Sequence, residues 1–259
     1  MRRRRLGFWL RFAVVVLEPL LTVLTRRDWR GMEHVPRAGG VILCTNHTTH
    51  ADPLTFGHFL YAAGRSPRFL AKGGLFALPF VGQVLRGAEQ IPVARESENA
   101  ALAYAAAVDA VRRGEAVCVY PEATITRDPR LWPMGGKTGA ARVALATGAP
   151  VVPVAQWGAQ RLLPPYSALP RLWRRPVVHV LAGPPVELSD LRGVEPTAQV
   201  LREATDRIMD AITALLAQVR GEVPPPVRFD PRTSGLPRFG NPHKKIRAWR
   251  RRPRPKERE

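Results

Sequence analysis

Short apolar runs alternate with longer helical stretches through the middle of the chain. The runs fall at 41–46 (VILCTN), 68–72 (RFLAK), 90–94 (QIPVA), 116–120 (AVCVY), 151–156 (VVPVAQ) and 177–182 (VVHVLA), and their length and β-branched content predict buried strands. Helices are predicted over 53–63, 98–113, 138–147 and 197–220, with Gly114 and Gly148 as stop signals for the second and third. The last carries Val200, Ala204, Ile208, Ile212, Leu215 and Val219 at helical spacing. Alternation of this kind predicts an α/β fold, a mainly parallel central sheet covered by helices. No Gly-rich dinucleotide loop or Walker-type loop is present.

The flanks differ in character from this middle. The 259 residues carry 40 Lys and Arg against 21 Asp and Glu, a net charge of +19. Eight basic and two acidic residues lie in 1–30, and twelve and four in 221–259, so most of the excess sits outside the globular part. Three segments follow: a basic, apolar N-terminal segment (1–30), a globular domain (31–220) and a basic tail (221–259). Basic flanks attract polyanions, which admits nucleic acid and anionic lipid alike.

In the N-terminal segment Arg2–Arg5 precede an apolar stretch from Leu6 to Thr25, broken by Arg11, Glu18 and Pro19. A spanning helix needs about 20 mostly apolar residues, more than the unbroken run here. Leu24-Thr25-Arg26-Arg27 offers no small-residue cleavage site for a signal peptide. The pattern fits a short membrane-interface helix, with arginines at the headgroups and Phe8, Trp9, Leu10 and Phe12 in the acyl boundary. A soluble helix packed on the domain is the alternative. The tail contains Pro224-Pro225-Pro226 and few aliphatics, so it is expected to be disordered. Trp249 among Arg250–Arg252 could anchor it to a membrane surface, or it could simply be solvated. Cys44 and Cys118 lie in apolar runs and are expected to be small buried side chains.

Chemistry-bearing residues gather where the predicted strands end, which is where open α/β sheets bind ligands. The first strand runs into Asn46-His47-Thr48-Thr49-His50-Ala51-Asp52-Pro53. Five residues separate His47 from Asp52, so on one helix their side chains would not share a face. A turn would let them meet, and Pro53 favours one by pushing Asp52 out of helical geometry. Asp52 reads as an N-cap for the following helix, and compatibly with that as a carboxylate that orients His47 as a general base. His50 is a competing base.

Arg95 follows the strand ending Ile91-Pro92-Val93-Ala94, Lys72 ends another, and Glu122 and Thr124 follow the strand 116–120. An arginine fork suits phosphate through two parallel hydrogen bonds. Gly135-Gly136-Lys137-Thr138-Gly139 opens a helix, either as an anion-binding N-terminus or as a plain loop.

Together these segments resemble the glycerolipid acyltransferase family, the 1-acyl-sn-glycerol-3-phosphate acyltransferases. The family's first motif, Asn-His and four residues later Asp, is matched by Asn46-His47 and Asp52, and its second, ending in arginine, by Ile91-Pro92-Val93-Ala94-Arg95. Its third, commonly Phe-Pro-Glu-Gly-Thr-Arg, is matched by Tyr120-Pro121-Glu122-Ala123-Thr124-Ile125, and its fourth by Val151-Val152-Pro153-Val154. The resemblance implies a glycerol-3-phosphate acyltransferase-like fold and transfer of an acyl group from acyl-CoA or acyl-carrier protein to a lysophospholipid hydroxyl. It implies His47 as the base with Asp52 behind it, backbone amides near the turn for the oxyanion, and Lys72, Arg95, Glu122, Thr124 and Lys137 around the acceptor. No cofactor or metal is implied. The expected partner is an anionic membrane surface, and the expected location the cytoplasmic face of the cell membrane, peripheral or monotopic.

Two departures change the expectation. Ala123 stands where the family has glycine, so a negative φ is expected there. Ile125 replaces an arginine, which leaves the acceptor headgroup open, with Arg95, Lys137 or Arg127 able to compensate. A related acyltransferase with another lysolipid or glycolipid acceptor is therefore the second reading. A nucleic-acid-binding protein is the third, disfavoured because the flanks lack interleaved aromatic platforms.

Overall fold

The computed structural model describes residues 7–93, 97–173, 175–231, 233–235 and 241. In chain order the elements are α1 (Phe8–Leu24), β1 (Arg26–Arg30), β2 (Val41–Thr45), α2 (Asp52–Ala62), β3 (Pro67–Lys72), α3 (Val81–Gly87) and β4 (Ile91–Val93). There follow α4 (Ser97–Arg112), β5 (Ala116–Val119), α5 (Gly139–Thr147), β6 (Val151–Trp157), α6 (Ala159–Leu162), β7 (Val177–Ala182) and α7 (Ala198–Arg220). All six expected strands and all four expected helices are present. The seven strands form one sheet in the order β1-β7-β6-β2-β5-β3-β4. Strands β2 to β6 are mutually parallel, while β7 runs antiparallel to β6 and carries β1 with it.

The central strand explains why the apolar runs are continuous. Every residue of β2 is buried, because helices cover both faces of the sheet. Ile42 and Cys44 point to one face, against Val117, Val119 and the apolar sides of α4, α5 and α7. Val41 and Leu43 point to the other, against Phe56, Phe59 and Leu60 of α2. Helix α7 presents Leu201, Ala204, Ile208 and Ile212 to the first face. It starts at Thr197, whose side chain accepts from the Val200 amide, and stops at Gly221 in the left-handed conformation. Cys44 and Cys118 are buried as expected, and burial pushes the Cys44 thiol up to about 12.

Three elements escape the sequence reading, of which α6 is a short helix of four residues, Ala159–Leu162. Residues 26–30, grouped with the N-terminal segment, are a strand of the sheet paired with β7. Arg-Arg-Asp-Trp-Arg has no apolar alternation because an edge strand is best kept charged. Helix α3 is short and packs under α1.

Helix α1 runs unbroken through Glu18 and Pro19, where the apolar stretch looked interrupted. Its Trp9 ring lies over Gly87, where a Cβ would fall 1.9 Å from Cδ1, and beside Phe80 at 6.3 Å between centroids. The outer face nonetheless exposes Phe8, Val15, Val16, Leu20 and Val23. The helix therefore packs on the domain and still offers an apolar surface. At 17 residues it spans about 25 Å, and among the described residues no helix is long and apolar enough to cross a membrane. Arg2–Arg5 and Trp249–Arg252 lie outside the described residues. The first part of the segment read as a tail turns back along α7, where Arg228 pairs with Asp206 at 2.9 Å and with Asp210.

Candidate active site

The carboxyl ends of the neighbouring strands β6, β2 and β5 lie side by side, and two polar side chains tie β2 to β6 there. Asn46 donates from Nδ2 to the Gln156 carbonyl at 3.0 Å and accepts the Gln156 amide on Oδ1 at 2.8 Å. The Gln156 side chain donates to Thr45 Oγ1 at 3.0 Å and accepts from Thr55 of α2 at 3.3 Å. Asn46 and Gln156 are almost wholly buried, so this exchange satisfies groups that would otherwise be costly. It fixes where β2 ends and hence where His47 begins. Gln156 is absent from the sequence reading, although a lone amide closing the run Val-Val-Pro-Val-Ala was a visible signal.

His47 and Asp52 do meet, across a turn. Nδ1 of His47 lies 2.9 Å from Oδ2 of Asp52. The same oxygen accepts the Thr48 amide at 2.6 Å and the Thr49 amide at 2.8 Å. These bonds bear on the N-cap reading of Asp52. The carboxylate faces back into the turn rather than forward onto the helix amides, and the N-cap position belongs to Ala51. The N-cap reading is therefore corrected, because Asp52 is the first helical residue and its side chain is committed to the segment before it. Asp52 is fully buried, whereas the His47 side chain keeps 14% of its exposure. With Nδ1–H directed at the carboxylate, Nε2 is the nitrogen left to take a proton.

The third segment holds His47 by its backbone. Glu122 Oε1 accepts the His47 amide at 3.2 Å, and Oε2 accepts the Met134 amide at 3.0 Å. The His47 carbonyl accepts the Thr126 amide at 2.7 Å. Burial pushes the Glu122 carboxyl up to about 8, against the downward pull of those amides. Glu122, expected around the acceptor, is buried and clamps the His47 peptide. The Tyr120 ring lies against the imidazole, 4.3 Å between centroids and tilted by 32°. Further along, the Arg220 guanidinium lies over the Trp132 ring at 4.1 Å and over the Trp157 ring at 4.3 Å, which fastens this loop to α7.

Five of the turn's backbone amides donate within the protein. Those of His47, Thr48, Thr49, Ala51 and Asp52 donate to Glu122, Asp52, Asp52, Thr49 Oγ1 and the Thr49 carbonyl. Ala123 is a second correction. Its φ is +56°, in the left-handed region that costs an alanine more than a glycine. The reason is the tight turn in which the Ala123 amide donates to the Tyr120 carbonyl at 2.9 Å, with Pro121 at its second position.

Thr124 is half-buried between Ala123 and Ile125, and Lys137 is exposed, its amide donating to the Pro121 carbonyl at 2.8 Å. Lys72 is exposed at the end of β3, two strands from β2, or about 10 Å at the usual strand spacing. Arg95 lies outside the described residues, two positions after the end of β4. Ile125 is buried, and its carbonyl accepts from the Tyr166 hydroxyl at 3.0 Å. Arg127 is buried in the same loop. His50, the competing base, is exposed and its ring lies edge-on to Tyr166 at 6.4 Å. Burial and the neighbouring His47 lower its pKa. Among the described residues no cluster of His, Cys, Asp and Glu could hold a metal ion.

With this geometry in place, similarity to known proteins can be stated. The family model described as Acyltransferase matches residues 26–157. The chain is 29% identical over 141 residues to 1-acyl-sn-glycerol-3-phosphate acyltransferase BAT2, chloroplastic, of Brassica napus, covering 54% of this chain and 39% of that protein. It is 35% identical over 127 residues to 1-acyl-sn-glycerol-3-phosphate acyltransferase of Borreliella burgdorferi, 48% of each chain. The chain thus spans half or less of the length of these relatives. The crystal structure of the 1-acyl-sn-glycerophosphate acyltransferase PlsC from Thermotoga maritima shares the fold, with a TM-score of 0.62 at 20% identity over 83% of this chain and 81% of that one.

Proposed function

The chain belongs to the acyltransferase family, and from that premise we propose that it moves a fatty acyl group from an acyl thioester to the free hydroxyl of a lysophospholipid. The acceptor is 1-acyl-sn-glycerol-3-phosphate and the product phosphatidic acid. The donor is acyl-CoA or acyl-carrier protein. The observation that carries this reading is the His47–Asp52 bond of 2.9 Å at the carboxyl end of the central strand β2.

The chemistry follows from that pair. Nε2 of His47 takes the proton of the acceptor hydroxyl as its oxygen attacks the thioester carbonyl. The imidazolium formed is stabilised by Asp52, a fully buried carboxylate held by two amides. The tetrahedral intermediate collapses, the C–S bond breaks, and the imidazolium returns its proton to the leaving thiolate. No cofactor or metal enters this scheme. Lys72, Thr124, Arg95 and Lys137 are the groups proposed to hold the acceptor's phosphate. Glu122 serves instead by fixing the His47 peptide. The acceptor resides in a membrane, and the exposed apolar face of α1 fits an anionic bilayer surface at the cytoplasmic side, peripherally or monotopically.

The buried Ile125 supports a second reading, in which the same chemistry serves an acceptor with another headgroup. A panel of purified lysolipids, each offered with one labelled acyl thioester and read by product mass, separates the two. Preference for lysophosphatidic acid is expected. Preference for a lysolipid lacking a phosphomonoester would transfer the assignment to the second reading.

A further inference from the structure

The loop between α6 and β7 exposes apolar side chains that the domain does not use. Leu169 is 79% exposed, Leu172 53% and Trp173 80%. Arg171 and Arg175 are interleaved with them and are also exposed. A soluble surface seldom leaves an indole and two leucines together in water, whereas Trp and Leu flanked by arginine match the chemistry of a bilayer interface. We propose that this loop is a second membrane-contact site, in which Leu169, Leu172 and Trp173 enter the acyl boundary of an anionic bilayer while Arg171 and Arg175 remain at its headgroups.

The loop's two attachments give the surface its position. On one side Arg175 donates to the Thr22 carbonyl of α1 at 3.3 Å, beside the exposed Leu20 and Val23. The loop therefore continues the apolar face of α1. On the other side the loop is fastened to the catalytic turn. Thr49 Oγ1 donates to the Leu163 carbonyl at 2.5 Å, and Tyr166 donates to the Ile125 carbonyl at 3.0 Å. One segment thus joins the outer face of α1 to the walls of the His47 site, which presents that site to an acceptor lying in the same leaflet. The inference rests on the membrane-resident acceptor proposed above. Its occupant is a lipid surface, and the arginines supply the charge that anionic headgroups complement.

The test compares the full chain with its Leu169→Ser/Leu172→Ser/Trp173→Ser variant by sedimentation with vesicles of phosphatidylcholine and phosphatidylglycerol. The variant should need about tenfold more lipid for half-binding, given three large apolar side chains withdrawn from the interface. A Trp173→Ala variant should show a smaller shift in the same direction. Turnover with a short-chain, monomeric lysolipid should be unchanged in both variants, which also reports that they fold. Equal lipid dependence in parent and triple variant would overturn the proposal. So would a parent that is dimeric without lipid and a triple variant that is monomeric, because the surface would then join two copies. A parent that binds vesicles through this loop but acylates no lysolipid leaves the loop assignment standing and removes the acyltransferase reading.

Discussion

Replacing Asp52 by Asn isolates the charge of the buried carboxylate from its shape. Two backbone amides point at Oδ2 from 2.6 and 2.8 Å, so the new side chain must place its oxygen there rather than its NH₂. That oxygen can still accept from His47 Nδ1, and the imidazole keeps both its tautomer and its orientation. What disappears is the negative charge beside the imidazolium. A unit charge pair at about 4 Å is worth about 4 kcal/mol at an effective dielectric of 20. The difference between charged and neutral hydrogen bonds, about 1–2 kcal/mol, sets a lower bound. At 1.36 kcal/mol per decade, a loss of about 2–4 kcal/mol corresponds to about 30- to 1,000-fold in kcat. KM for donor and acceptor should hold, since Asp52 is fully buried. The assay is steady-state release of the thiol from acyl-CoA with lysophosphatidic acid as acceptor, alongside a thermal melt to verify folding. A kcat within threefold of the parent would refute the reasoning and reduce Asp52 to a structural residue of the turn.

The neighbouring segment gives two further tests. Ala123→Gly should raise stability by about 1 kcal/mol, because it removes the left-handed strain at φ +56° at an exposed position, and a lowered melting temperature would contradict this. Glu122 has a folded-state pKa near 8, above its ordinary 4.5, so its contribution to stability is fully present below about pH 4.5 and is lost as pH rises towards 8 and beyond. Glu122→Gln should flatten the fall in denaturant midpoint between pH 5 and pH 8 seen in the parent, and an identical pH dependence in both proteins would contradict the assignment.

Sheet and helices were legible because a doubly covered parallel sheet writes itself as apolar runs, as in Val41–Cys44 and Val151–Val154. Strand β1 was not, because a charged edge strand has no hydrophobic signature. The His47–Asp52 spacing implied a turn, and Pro53 supported it, but the direction of the Asp52 side chain depends on the Thr48 and Thr49 amides, which spacing does not encode. Glu122 shows the same limit. A glutamate after a strand end suggests a site residue, while its role as a clamp follows from contacts with residues 12 and 75 positions away. Gln156 and Asn46 meet only because β6 and β2 are neighbours, and they are 110 residues apart in the chain.

The most direct measurement is the rate at which purified parent and His47→Ala convert 1-acyl-sn-glycerol-3-phosphate and isotope-labelled acyl-CoA to a product of phosphatidic acid mass. The parent should form labelled phosphatidic acid, and the variant should fold normally and form it about 10²–10⁴-fold more slowly. Equal rates in the two proteins would contradict His47 as the base that performs acyl transfer.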